Sequence, residues 1–117
     1  MNLFPKNYRL RKRCEFEYLK KHGKRIQNNL YIINYAHNPS MNASRLGITA
    51  TKKTGNAVVR NRIKRLVRET FRKNRHILIH KYDMNVIAKR QIRERSNQQC
   101  VDALLALLKR LSKEHDV

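Results

Sequence analysis

The chain has 117 residues, with 28 Lys and Arg against eight Asp and Glu, a formal net charge of +20, and 40% apolar residues. That length holds one domain with a single modest core, and the apolar fraction excludes a wholly disordered basic tail. The longest apolar run, 103–108, is six residues, too short to cross about 30 Å of hydrocarbon, and the first thirty residues lack the apolar stretch of a secretory signal, so a single cytoplasmic domain is expected.

Residues 1–12 read as a loose basic start, with Lys6, Arg9, Arg11 and Lys12. A short helix over 14–22 follows, stopped at Gly23. The β-branched and aromatic run 30–36 predicts a strand. Asn38, Pro39 and Ser40 mark a turn before a second strand, 45–51, in which Leu46, Ile48 and Ala50 alternate with Gly47, Thr49 and Thr51. These two strands are expected to be neighbours. Over 56–74 the apolar period changes from two to about 3.6, with Val59, Ile63, Leu66, Val67, Thr70 and Phe71 on one arc of a helix. The opposite arc carries Arg60, Lys64, Arg65, Arg68 and Arg72, with Arg62 and Lys73 further round. A third strand is predicted at 83–88. Ser96 with Gln99 forms a capping-box pattern that opens a last helix, whose stripe of Val101, Leu104, Leu105, Leu108 and Leu111 reads as core. The order gives an α+β fold, a small mixed sheet packed with helices. Cys14 and Cys100 lack metal-site spacing and read as reduced structural thiols.

Charge is distributed unevenly. Residues 18–68 contain no Asp or Glu but twelve Lys or Arg, among them Arg45, Lys52 and Lys53. A solvated face normally mixes both signs, so one continuous positive surface for a polyanion is expected, and nucleic acid is the usual partner. The eight carboxylates are scattered, and none has the paired spacing that metal-dependent hydrolysis requires. Five histidines show no acid–base pairing; His76 and His80 stand four apart but without an acidic or Cys neighbour. Binding is better provided for. Arginine forks match phosphate oxygens two at a time, Asn61 adds an amide that can read a sugar or base edge, and the loop 52–56 leads into a helix N-terminus. Gly55 is expected to serve the turn. Phe16, Tyr18, Tyr31, Ile33 and Tyr35 are expected mostly in the core, or on a stacking platform if they face outward.

The runs Arg45-Leu46-Gly47-Ile48, Lys52-Lys53-Thr54-Gly55-Asn56-Ala57-Val58-Val59-Arg60-Asn61-Arg62-Ile63-Lys64-Arg65 and Arg68-Glu69 closely resemble the signature of the bacterial ribonuclease P protein family. The resemblance implies a fold like the second domain of ribosomal protein S5, with a left-handed βαβ crossover in place of the right-handed one the general rule predicts. It implies a protein that assists a catalytic RNA, bound with Mg2+, in removing the 5′ leader of precursor tRNA. Lys53, Asn56, Arg60, Asn61, Arg62, Lys64, Arg65 and Arg68 would then contact the catalytic RNA. Phe16, Lys52, Lys89 and Arg90 would contact the leader. Lys20 and Asn34 stand where the family commonly has aromatics. A structural, ribosomal-type RNA-binding protein and a self-sufficient basic ribonuclease are the rival readings.

Overall fold

The computed structural model describes residues 9–39, 43–78 and 80–114. In chain order these form α1 (Arg13–His22), β1 (Lys24–Gln27), β2 (Tyr31–His37), β3 (Arg45–Thr49), α2 (Ala57–Asn74), β4 (Tyr82–Ala88) and α3 (Asn97–Glu114). The four strands make one mixed sheet in the order β1-β2-β4-β3. β1 pairs β2 and β2 pairs β4 antiparallel, while β3 and β4 are parallel and joined through α2. The α+β expectation holds.

Two features of the sheet depart from expectation. The strands 30–36 and 45–51 are not neighbours, because β4 lies between them and pairs with both. β4 is the most thoroughly buried strand, with Tyr82, Met84, Asn85, Val86 and Ala88 all inside, which suits the central place; apolar alternation reports a strand's faces but not its partners. β1 was not anticipated at all. Lys24-Arg25-Ile26-Gln27 has one buried side chain, Ile26, too little for a period of two to show. Its turn is set by Asn28, whose Oδ1 accepts from the N–H groups of Leu30 and Tyr31 at 3.0 Å each and whose Nδ2 donates to the Ala103 carbonyl at 2.9 Å.

The core lies on one face of the sheet. Tyr31, Ile33 and Tyr35 of β2, Leu46 of β3 and Met84 and Val86 of β4 meet Ile63, Val67 and Phe71 of α2 and Leu104, Leu108 and Leu111 of α3. Each fully buried aliphatic or Phe side chain stabilises the fold by roughly 1.5–3 kcal/mol. The capping box forms as expected: Ser96 N–H donates to Gln99 Oε1 at 2.9 Å and Gln99 N–H to Ser96 Oγ at 3.1 Å. The stripe of α3 is turned slightly from the expected one. Cys100 and Leu107 are buried, whereas Val101 and Leu105 are half-buried; the run 103–108 is apolar all round, so its pattern does not select a single face. Cys100 is thus a core thiol, but Cys14 is exposed on α1 and is not structural.

The expected loose start falls mostly outside the described residues, Lys6 included. Its end, however, is held: Arg9 bridges to Leu46 along the edge of β3, Leu10 N–H donates to the Leu46 carbonyl at 2.9 Å, and the Leu10 side chain is buried. None of the described helices is long and apolar enough to cross a membrane.

Candidate RNA interface

α2 begins where local backbone demands it. Gly55 sits at φ +149°, a conformation that L side chains rarely adopt, and lets the chain turn from a short 3₁₀ segment, Lys52–Thr54, into the helix. Asn56 caps it, its Oδ1 accepting from Val59 N–H at 3.0 Å. Gly55 therefore serves the turn, as the sequence suggests.

With Ile63, Val67, Thr70 and Phe71 turned inward, the other arc of α2 faces out. Asn61, Arg65, Arg68 and Lys73 are exposed, and Arg60, Arg62, Lys64 and Arg72 are half-buried. Their commitments differ. Arg72 is paired with Glu69 at 2.9 Å, and Arg62 Nη1 donates to Asn97 Oδ1 on α3. Arg60 Nε is buried without a hydrogen-bond partner. Partial burial, together with the nearby charge of Arg9, weakens the hold of Arg68 on its proton. Cations held so close together are stabilised by an anion placed between them.

The sheet face away from the core is covered in part by α1. Phe16, half-buried, rests on Gly47: a β-carbon there would come within 2.4 Å of the ring Cε1. Around this ring a cavity of about 140 Å³ is lined by Leu10, Leu46 and Ile48 and by Arg9, Lys64 and Arg68. The structure thus brings Phe16, expected on the leader side, together with Lys64 and Arg68, expected on the catalytic-RNA side. Lys52, Lys53, Lys89 and Arg90 lie elsewhere, just past the carboxyl ends of the parallel strands β3 and β4. Lys52, Lys53 and Arg90 are exposed and Lys89 is half-buried.

The aromatic platform is smaller than the sequence allows. Tyr31, Ile33 and Tyr35 are buried on the core side; the Tyr31 hydroxyl donates to the Cys100 carbonyl at 3.0 Å, and burial pushes its pKa up. Tyr18 is exposed on α1, its ring 5.1 Å from that of His22. Lys20 is exposed, and Asn34 is buried, accepting from Arg25 Nε at 3.1 Å. The His80 ring packs against His37 at 5.3 Å. Among the described residues no three His, Cys, Asp or Glu side chains group as a metal site.

One cluster escaped sequence reasoning. Arg45, counted with the positive surface, is turned inward. Its Nε and Nη2 each donate to Asp83 at 2.8 Å and its Nη1 meets Glu15 Oε2 at 2.7 Å. Burial works against the Glu15 charge, but the N–H groups of Lys12 and Arg11 and the guanidinium of Arg45 outweigh it and hold this carboxyl below its ordinary range. Positions 15, 45 and 83 lie on three different elements, and no local pattern joins them.

Comparison with known proteins is consistent over most of the chain. A family model described as Ribonuclease P matches residues 4–112. The ribonuclease P protein component of Desulfatibacillum aliphaticivorans is 46% identical over 110 residues, 93% of this chain and 92% of that protein. Among solved structures, the RNase P protein of Thermotoga maritima superposes with a TM-score of 0.80 at 38% identity, covering 87% of this chain and 96% of that one. The RNase P protein of Staphylococcus aureus gives 0.82 at 33% identity, covering 87% and 93%.

Proposed function

The chain belongs to the ribonuclease P protein family and is a protein subunit of that RNA-processing enzyme, and from this premise we propose how its surface serves the reaction. The exposed arc of α2, with Lys53 and Asn56 at its start and Arg60, Asn61, Arg62, Lys64, Arg65 and Arg68 along it, binds the catalytic RNA subunit. The sheet face beside α1 receives the 5′ leader of precursor tRNA, with Phe16 stacking at one place and Lys52, Lys89 and Arg90 holding phosphates at another. Phosphodiester hydrolysis then occurs in the RNA, in the cytoplasm.

The observation that carries this reading is the division of labour on α2. One arc is locked into the core and the other presents a row of cations on a fixed helix, an arrangement that grips and orients a polyanion without supplying a proton donor, acceptor or nucleophile. The shared cavity of Phe16, Lys64 and Arg68 supports a leader and a catalytic RNA that approach each other at the edge of α2. The carboxylates that do converge, Glu15 and Asp83, are both committed to Arg45. They do not fit a hard divalent cation, which supports placing the Mg2+ on the RNA.

Reconstitution tests the proposal. The purified protein, a bacterial ribonuclease P RNA and precursor tRNA are combined at low Mg2+, and correct 5′ cleavage is expected only when both subunits are present. Cleavage by the protein alone would overturn it.

A further inference from the structure

We propose that Arg45 is a positioning residue for the leader site: by joining Glu15 to Asp83 it fixes where α1, and with it Phe16, sits on the sheet. The inference rests on the reading that Phe16 meets the leader.

Four observations converge. All three guanidinium nitrogens of Arg45 are engaged, two on Asp83 and one on Glu15. The side chains of Arg45, Glu15 and Asp83 are only 19%, 21% and 15% exposed, so the bridge is partly dehydrated and bidentate, unlike an ordinary surface ion pair. Second, both carboxylates are oriented from behind: Asn38 Nδ2 donates to Asp83 Oδ2 at 2.9 Å, and the N–H groups of Arg11 and Lys12 donate to Glu15 Oε1 at 3.2 and 3.1 Å. Third, α1 itself buries only one residue fully, Leu19. Fourth, the geometry steps in register. Glu15 lands on Arg45 and the next residue, Phe16, lands on Gly47, the next position on the same face of β3. Among the described residues, Arg45 is also the one cation of the twelve in 18–68 with a carboxylate partner. Its charge therefore serves the fold rather than the RNA.

The test uses the reconstituted holoenzyme and reads the ratio of its affinities for precursor tRNA and mature tRNA, alongside the protein's affinity for the catalytic RNA. Glu15→Gln and Arg45→Lys are each expected to lower the ratio roughly three- to tenfold, the loss of one charge-assisted contact, with mature tRNA and catalytic-RNA affinities unchanged. In a Phe16→Ala background, Glu15→Gln is expected to change the ratio no further, because the two act through one contact. A ratio unchanged by Glu15→Gln and Arg45→Lys but lowered by Phe16→Ala would overturn the positioning role and leave the leader reading intact. Losses that multiply in the double variant, or that fall equally on all three affinities, would also overturn it, showing independent action or plain destabilisation. A ratio unmoved by Phe16→Ala itself would overturn the leader reading together with this one.

Discussion

The cations of α2 are not equivalent, and the salt dependence of RNA binding is expected to show it. Of the seven on that helix, Arg72 is neutralised by Glu69 and Lys73 lies outside the proposed interface, which leaves Arg60, Arg62, Lys64, Arg65 and Arg68 to meet phosphates. Five neutralised phosphates give a log–log slope of roughly −3.5 to −4.5 for affinity against salt, or a loss of about 130- to 500-fold between 50 and 200 mM. Arg65→Ala removes one of the five and is expected to flatten the slope by about 0.7–0.9. Arg72→Ala removes the same formal charge but one already paired, and is expected to leave the slope close to that of the parent. Titration of the labelled catalytic RNA with each protein, across a salt series at fixed Mg2+, gives the three slopes directly. Equal flattening by Arg65→Ala and Arg72→Ala would show that net charge acts rather than a defined face, and a slope near zero would remove phosphate contact from the account.

Three further outcomes are expected. Gly55→Ala places a side chain at φ +149° with Val59 Cβ only 2.9 Å away, so a loss of about 1–3 kcal/mol is expected in urea unfolding; an unchanged midpoint would contradict the assigned turn. Ser96→Ala breaks the capping box of α3 and is expected to cost about 1 kcal/mol, in the same assay. Stability is also expected to fall in acid. The Glu15 carboxyl is held below its ordinary value of 4.5, so its contribution is complete above that pH and disappears as pH falls through the folded-state value. Glu15→Gln should make the acid side of the stability curve shallower, and an unaltered curve would show that Glu15 does not contribute.

Much of the candidate interface was legible because it resides in one helix. The apolar period of 56–74 separates a buried arc from an exposed one, and Arg60, Asn61, Arg65 and Arg68 fall where that period puts them. Gly55 and the Ser96–Gln99 box are equally local, since their partners lie within four residues. Where the chain's pattern was short or uniform it was silent: β1 has a single buried residue, and the apolar run in α3 accommodates more than one face.

From sequence alone came the polyanion-binding character, the helices and three of the strands, and the family, because composition, periodicity and motif are properties of consecutive residues. Tertiary structure alone decided that β4 divides β2 from β3 and that Phe16 shares a cavity with Arg9, Lys64 and Arg68. It also turned Arg45 from a surface charge into a strut between Glu15 and Asp83. Each of these depends on which distant segments meet, and that is settled by the joint packing of the sheet and helices around one core, which no window along the chain contains.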